Sequence, residues 1–228
     1  MTFATQARGG ALRVASARVT EADADRHLRA CDPVMARLID DFGGPLPAGR
    51  DSRGRPDELY GALVRSIAGQ QLSVKAAAAI WRKLLDRFDG ETPTPEQILA
   101  DDPEALRAAA GFSRAKVSYL RSLAEHVLAG DLELDRLREL RDEEIVAELT
   151  AVKGIGEWTA QMFLMFTLHR PDVLPTGDLG VRNGAWRAYD LAAAPRPAEL
   201  TALAEPWRPH RTRACLYLWR SLANVPLA

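Results

Sequence analysis

The sequence predicts an all-α fold. Nearly every segment of its 228 residues has apolar positions at helical spacing and is rich in Ala, Leu and Arg. No segment shows the alternation of apolar and polar residues that is typical of a strand. Pro, Gly, Asp and Ser separate the helical segments at the positions where helices begin and end.

The predicted helices follow one another along the whole chain. The segments are 20–30, 32–42, 56–71, 73–88, 94–100, 103–110, 113–129, 142–151, 156–168, 176–189, 197–203 and 209–224, and each begins at Thr, Asp, Ser, Gly or Pro. Residues 43–55 are rich in Gly and Pro, which predicts a linker between a short N-terminal arm and the main helical body.

The composition excludes several classes of protein. Hydrophobic residues make up 47% of the chain, but no apolar run approaches the roughly 20 residues that cross a bilayer. The first residues lack the apolar stretch of a secretory signal, so we expect a cytoplasmic protein without a membrane partner. Two cysteines, Cys31 and Cys215, are too few for a zinc ribbon or a four-cysteine iron–sulfur cluster. The net charge of −1 is unevenly distributed along the chain, so a basic face remains compatible with it.

A turn with two glycines, Val152-Lys153-Gly154-Ile155-Gly156, joins two of the predicted helices. Glycine allows positive φ and close approach to another surface, and the amides that open the next helix point towards an anion. Lys153 suits a contact to phosphate. Two interpretations remain open, a phosphate-binding hairpin or a tight turn between packed helices.

Asp178 follows Thr176 and Gly177 at the start of another predicted helix. Aspartate is common there as an N-cap. The helix dipole and the local amides keep such a carboxylate ionised, which also suits a group that faces a developing positive charge. The structural and the chemical role are therefore compatible.

Two stretches resemble a known family, LTAVKGIGEWTA at residues 149–160 and LPTGD at residues 174–178. They resemble the helix-hairpin-helix (HhH-GPD) DNA glycosylase superfamily, and more closely the chain resembles its bacterial 3-methyladenine DNA glycosylase II group. Residues 66–73, 111–116 and 207–211 and Trp219 support this similarity, which covers about residues 30–224. The resemblance implies two helical lobes with a DNA-binding cleft between them. Residues 56–170 would form the lobe with the hairpin, residues 1–55 would pack with the C-terminal helices, and residues 171–228 would complete the second lobe.

The resemblance implies a monofunctional glycosylase of base excision repair. Such an enzyme, expected to be a monomer without a cofactor, flips an alkylated purine of the 3-methyladenine type out of double-stranded DNA, hydrolyses the N-glycosidic bond and leaves an abasic site. Asp178 would be the catalytic carboxylate. It would stabilise oxocarbenium-like charge on the sugar, orient or deprotonate the water, or do both. Members with lyase activity have a lysine where this chain has Trp158. An indole cannot form a Schiff base, so no strand cleavage is expected.

The resemblance also suggests which residues contact the flipped base. Trp158 and Trp219 match aromatic positions that stack on cationic purines, although packing in the helical core is an equal alternative. Met162 and Leu179 stand where a bacterial relative has tyrosines, which predicts a different pocket lining.

Further residues are predicted to contact DNA or a cation. The predicted DNA contacts are the hairpin residues Lys153, Gly154, Ile155 and Gly156, a wedge segment of Gln70, Gln71 and Leu72, and Arg211 at a phosphate. A polar turn at a helix end remains the alternative for the wedge segment, and an ordinary solvated surface arginine remains the alternative for Arg211. The resemblance further implies a monovalent cation on the main-chain carbonyls of Thr150, Val152 and Ile155.

Two alternative functions remain open. The first is a glycosylase for another damaged or mismatched base, such as hypoxanthine or uracil. The second is a helix-hairpin-helix module that binds DNA without catalysis, in which Asp178 only caps its helix.

Overall fold

The computed structural model describes residues 21–45 and 59–223 of the chain. Within these residues the protein is helical and has no strand, which confirms the predicted all-α class. The twelve α-helices of the described residues are α1 (Glu21–Cys31), α2 (Pro33–Phe42), α3 (Leu59–Gly69), α4 (Val74–Arg87), α5 (Pro95–Ala100), α6 (Pro103–Ala110), α7 (Arg114–Ala129), α8 (Asp142–Ala151), α9 (Glu157–Phe166), α10 (Leu179–Ala188), α11 (Pro197–Leu203) and α12 (Arg211–Ala223). Two 3-10 helices, Leu134–Arg138 and Glu205–Trp207, precede α8 and α12.

The observed helices follow the predicted segments, with differences at their ends. The predicted segment 176–189 begins too early, because Asp178 occupies the N-cap position and α10 starts at Leu179. The 3-10 helix Leu134–Arg138 was not predicted. Part of the predicted linker, residues 46–55, and the start of the segment 56–71 lie outside the described residues.

Side-chain caps explain why these helices begin where they do. In each case a side-chain oxygen accepts a hydrogen bond from a backbone N–H of the first turn, which otherwise has no partner within the helix. The capping residues are Asp32 for α2, Ser73 for α4, Thr94 for α5, Asp102 for α6, Ser113 for α7 and Asp178 for α10.

The two N-terminal helices pack against the C-terminal part of the chain. Asp25 on α1 accepts hydrogen bonds from Arg213 at 2.6 Å and from Tyr217 at 2.9 Å, both on α12. Asp32 is buried and accepts hydrogen bonds from the Trp207 indole at 2.8 Å and the Tyr189 hydroxyl at 2.5 Å. Helices on either side of the linker therefore share polar contacts. The division into two lobes and the cleft stay predictions.

Helices α10 and α12 approach closely at Gly184. A Cβ atom at this position would lie 2.6 Å from the carbonyl oxygen of Leu218 and 2.9 Å from its Cβ. Because glycine has no side chain, the backbone of α10 can lie directly against Leu218 of α12 at this point. This contact brings Trp219, the residue after Leu218, to the start of α10.

Helices α8 and α9 pack against each other and hold the glycine turn between them. Ile145 and Leu149 of α8 are fully buried, as is Ala160 of α9, and Phe163 is almost so. Burial of these side chains anchors both arms of the turn in the core.

Within the described ranges, no helix is long and apolar enough to cross a membrane. The same ranges hold no group of three or more His, Cys, Asp or Glu side chains arranged to bind a metal ion. Both cysteines, Cys31 and Cys215, are free thiols.

Candidate active site

Asp178 lies at the N-terminus of α10 and is half-buried. Its Oδ1 atom accepts a hydrogen bond from the backbone N–H of Val181 at 2.7 Å, as expected for an N-cap. The positive end of the helix dipole stabilises the negative charge of the carboxylate there. The predicted capping role of Asp178 is confirmed.

Two indole groups also bind the Asp178 carboxylate. Trp158, in the first turn of α9, donates its Nε1–H to Oδ2 at 2.7 Å. Trp219, near the end of α12, donates its Nε1–H to Oδ1 at 2.8 Å. An indole N–H only donates and an ionised carboxylate only accepts, so the two kinds of group match. Three donors from α9, α10 and α12 fix the orientation of one carboxylate.

The negative charge of Asp178 also acts on Cys215 of α12. Burial raises the pKa of the Cys215 thiol, and the nearby negative charge of Asp178 raises it further. Cys215 is fully buried one turn before Trp219. This thiol therefore stays protonated at neutral pH and acts as a small apolar residue.

An aromatic and apolar stripe on α9 runs away from Asp178. Trp158, Met162 and Phe166 follow at intervals of four residues, which places them on one face of the helix. The Phe166 ring stacks on the Trp219 ring with centroids 6.0 Å apart and an angle of 24° between the planes. Trp158 is 49% exposed and Leu179 is 63% exposed, so two of the four predicted pocket residues present large apolar surfaces to solvent.

Phe166 was not among the pocket residues predicted from the sequence. Its spacing of four residues from Met162 is the signal that places it on the face of Trp158. Met162 is half-buried and packs against the core.

The glycine turn is a compact hairpin with Lys153 on its outer side. Val152 and Ile155 are buried, and the Ile155 N–H donates to the Val152 carbonyl at 3.1 Å. Gly154 has φ +88°, and a Cβ atom there would lie 2.1 Å from Cγ of Tyr119. Only glycine fits this position, because the conformation is left-handed and the aromatic ring of α7 covers it. Lys153 is exposed.

The Gln70-Gln71-Leu72 segment lies in the loop between α3 and α4, beside the hairpin. The Gln70 amide donates a hydrogen bond to the Gly154 carbonyl at 2.9 Å. Gln71 has φ 59° and is exposed, and Leu72 is 38% exposed. Of the three residues, Gln71 and Leu72 point to solvent, whereas Gln70 is bonded to the protein.

Arg211 has an internal partner. Its guanidinium donates to Oδ1 of Asp172 at 2.7 Å and to Oδ2 at 3.0 Å, and only 13% of its side chain is exposed. The suggestion that Arg211 contacts phosphate rested on charge alone. Asp172 already binds the guanidinium in a bidentate pair, so Arg211 is engaged within the protein.

Comparison with known proteins identifies the family. Residues 64–209 match the model of the HhH-GPD superfamily of base excision DNA repair proteins. The chain belongs to this superfamily. The resemblance drawn from the hairpin and from Asp178 is thus confirmed at the level of the family.

Individual relatives of this HhH-GPD protein match most of its length. DNA-3-methyladenine glycosylase 1 of Schizosaccharomyces pombe is 37% identical over 87% of this chain and 86% of its own. DNA-3-methyladenine glycosylase 2 of Escherichia coli is 29% identical over 83% of this chain and 66% of its own.

Solved structures also match this chain over most of its length. The S. pombe 3-methyladenine DNA glycosylase in complex with abasic DNA has a TM-score of 0.78 and 36% identity, covering 90% of this chain and 98% of that one. The DNA-3-methyladenine glycosidase of Bacillus halodurans has a TM-score of 0.77 and 36% identity, covering 90% and 91%.

The family match contains part of the site of this HhH-GPD protein. It includes the hairpin, Trp158 and Asp178 but ends at residue 209, before α12 begins. Trp219, which binds Oδ1 of Asp178, therefore lies beyond the matched region.

Proposed function

We propose that this protein is a monofunctional DNA glycosylase that acts as a monomer on double-stranded DNA. It removes alkylated purines of the 3-methyladenine type, hydrolyses the N-glycosidic bond and leaves an abasic site. The observation that carries the proposal is the Asp178 carboxylate, which three N–H donors hold beside an exposed indole. The names of the S. pombe and E. coli relatives support the choice of lesion.

The proposed chemistry uses the charge of an alkylated purine. When the bond from the sugar carbon to the purine nitrogen breaks, its electron pair leaves with the base, which becomes neutral. Positive charge develops on the sugar, and water adds there and loses a proton. Asp178 stabilises the developing charge and orients the water or accepts its proton.

The exposed aromatic surface suits a cationic base. An extruded alkylated purine carries positive charge, which is attracted to the face of an indole. Trp158 has half of its surface accessible for such a contact while its N–H remains on Asp178. Trp219, Met162 and Leu179 complete the proposed pocket lining, and Phe166 supports Trp219 by stacking on its ring.

The proposal excludes strand cleavage by β-elimination. A glycosylase with lyase activity needs an amine that attacks the sugar, and Trp158 occupies the position at which such members have lysine. The Trp158 N–H is a donor to Asp178 and has no nucleophilic lone pair.

The proposed DNA contacts lie on the hairpin and the neighbouring loop. Lys153 and the backbone of Gly154, Ile155 and Gly156 face a phosphate, while Gln71 and Leu72 fill the gap left by the flipped base. Gln70 supports the loop through its bond to Gly154.

A monovalent cation at the hairpin is part of the proposal. Carbonyl oxygens are suitable ligands for such an ion, and the Val152 carbonyl, with one hydrogen bond from Ile155, has a second lone pair available. Thr150 and Ile155 would supply the other carbonyls. A bound cation would add positive charge beside the phosphate.

A panel of duplexes, each with one modified base, tests the proposal. We expect release of 3-methyladenine and abasic sites that are cleaved only after alkali treatment. Preferential release of hypoxanthine or uracil would contradict the proposed lesion class. Binding to all duplexes without release of any base would identify a non-catalytic DNA-binding module, and strand breaks before alkali treatment would contradict the absence of lyase activity.

A further inference from the structure

We infer that Gly180 is a positioning residue for Asp178. The missing side chain at this position leaves the space through which the Trp219 indole reaches the carboxylate. The inference rests on the catalytic role proposed above for Asp178. It concerns how that carboxylate is held in the orientation needed for base release.

The space at Gly180 is occupied by the hydrogen-bonding atoms themselves. A Cβ atom on Gly180 would lie 2.7 Å from Nε1 and 2.8 Å from Cδ1 of Trp219, and 3.0 Å from Oδ1 of Asp178. Real Cβ atoms essentially never come within 3.0 Å of a neighbouring heavy atom. A methyl group at this point would therefore displace the indole N–H from its acceptor.

The Trp219 indole has little room to give way. Its ring stacks on Phe166 of α9, with centroids 6.0 Å apart. The preceding residue, Leu218, packs directly on Gly184 of α10, so an outward movement of α12 would separate this contact. A methyl group at Gly180 would therefore displace the Trp219 indole. This displacement would break its hydrogen bond to Asp178, disturb its stack with Phe166, or both.

The backbone at Gly180 does not itself require glycine. The residue is the second of α10, and its φ lies outside the left-handed region, so alanine can adopt the same conformation. Glycine is among the weakest helix formers, and alanine at an open helical position would normally favour the helix. The benefit of glycine here is space for Trp219.

Loss of the Trp219 contact would leave the carboxylate with two donors, Val181 on Oδ1 and Trp158 on Oδ2. The orientation of the carboxylate about its Cβ–Cγ bond would then be less firmly fixed. Because the catalytic group must face the sugar, the rate of the chemical step would fall more than the affinity for DNA.

Gly180→Ala and Gly177→Ala form a matched pair for testing this inference. A Cβ atom at Gly177 would meet nothing within 4 Å, although the residue lies directly before Asp178. Each variant is assayed under single-turnover conditions on a duplex whose alkylated base the wild type releases. We expect Gly180→Ala to lose roughly ten- to hundredfold in rate, as for removal of a hydrogen bond to a charged group, while Gly177→Ala keeps the wild-type rate within about twofold.

Two further measurements separate positioning from a general structural role. Affinity for a duplex with an abasic site should remain within about threefold of wild type in Gly180→Ala. The indole N–H resonance of Trp219 in a ¹H–¹⁵N spectrum should shift in Gly180→Ala and stay in place in Gly177→Ala. Trp219→Phe, which keeps an aromatic ring but removes the donor, should show the same loss of rate, and it decides the matter if Gly180→Ala does not fold.

The outcomes distinguish this inference from the proposed function. If Asp178→Asn is inactive but Gly180→Ala and Trp219→Phe release the base at the wild-type rate, the positioning role is wrong and the glycosylase assignment stands. If Asp178→Asn also retains the wild-type rate, the proposed function fails together with the inference. An unchanged Trp219 resonance in folded Gly180→Ala would contradict the steric argument directly.

Discussion

The side-chain amide of Gln70 donates a hydrogen bond to the main-chain carbonyl of Gly154 at 2.9 Å. This bond joins the loop between α3 and α4 to the hairpin between α8 and α9, two segments that are 84 positions apart in sequence. Gln71, the next residue, has a left-handed backbone and is exposed. The loop proposed to enter the DNA stack is thus fixed relative to the hairpin proposed to bind phosphate.

Replacement of Gln70 by leucine should destabilise the protein through this bond. The substitution leaves the partly buried Gly154 carbonyl without its side-chain donor, which costs about 1 kcal/mol in the free energy of unfolding. Urea denaturation measures the change. Gln161→Leu is the control, because the Gln161 amide donates at 3.0 Å to the exposed Glu157 and its loss should cost only a few tenths of a kcal/mol. Equal effects of both substitutions would contradict a supporting role for Gln70.

The two hairpin glycines should respond differently to substitution. Gly154→Ala forces a Cβ atom into the Tyr119 ring at a positive φ, so we expect the free energy of unfolding to fall by about 2 to 4 kcal/mol. Gly156 has φ −92° at the N-cap of α9 and meets nothing within 4 Å, so Gly156→Ser should keep the wild-type stability. Thermal denaturation checks both values. Because Gly156 lies at the proposed phosphate contact, we also expect Gly156→Ser to weaken DNA binding without a loss of stability.

The buried carboxylate of Asp32 should be among the most sensitive positions for folding. It accepts hydrogen bonds from Trp207 and Tyr189 as well as from the first turn of α2. Asp32→Ala leaves the buried Trp207 indole and the partly buried Tyr189 hydroxyl without their acceptor, and we expect a loss of about 3 kcal/mol or more in the free energy of unfolding. Asp102→Ala is the control, because Asp102 is exposed and caps α6 through one bond to Ala105, which is worth about 1 kcal/mol. Similar losses in a chemical denaturation experiment would contradict a special role for Asp32.

Stability should fall as the pH drops below about 6.5, in part because of His210. Burial lowers the pKa of this imidazole, and the neighbouring His27 and Arg213 lower it further, whereas Asp172 and Asp23 oppose the shift. The unfolded chain therefore takes up a proton at a pH at which the folded protein does not. This linkage contributes stability that is present above the unfolded pKa and is lost as the pH falls through the folded pKa.

The thermal midpoint of unfolding, measured between about pH 7 and pH 5, tests the contribution of His210. His210→Gln cannot take up the proton, so its midpoint should fall less over this range than that of the wild type. His169→Asn is the control, because His169 is exposed and asparagine tolerates its positive φ of 54°. An identical pH dependence of His210→Gln and the wild type would show that His210 is not responsible.

Local sequence signals predicted the helices because apolar spacing and capping residues act within a few positions. Asp32, Ser73 and Ser113 mark helix starts in the sequence and bind first-turn amides in the structure. The same logic placed Asp178 at an N-cap. The hairpin and Asp178 then pointed to the family, because the combination is more specific than either part.

The contacts that complete the candidate site depend on tertiary packing and had no local signal. Trp219 was expected beside the base, but its bond to Asp178 needs the close approach of α10 and α12 at Gly184. Gly180 appears in the sequence as an ordinary helix residue. For Arg211 the sequence shows a positive charge that could contact DNA, but it does not show that Asp172 binds this charge within the protein.

The most direct test of the proposed catalysis is the single-turnover rate of base release by Asp178→Asn on a duplex that contains an alkylated purine. The amide keeps the size of the side chain but loses the negative charge that stabilises the sugar cation. We expect a fall of at least about a hundredfold in rate, with affinity for an abasic duplex close to that of the wild type. Base release by Asp178→Asn at the wild-type rate would contradict the central role of this carboxylate.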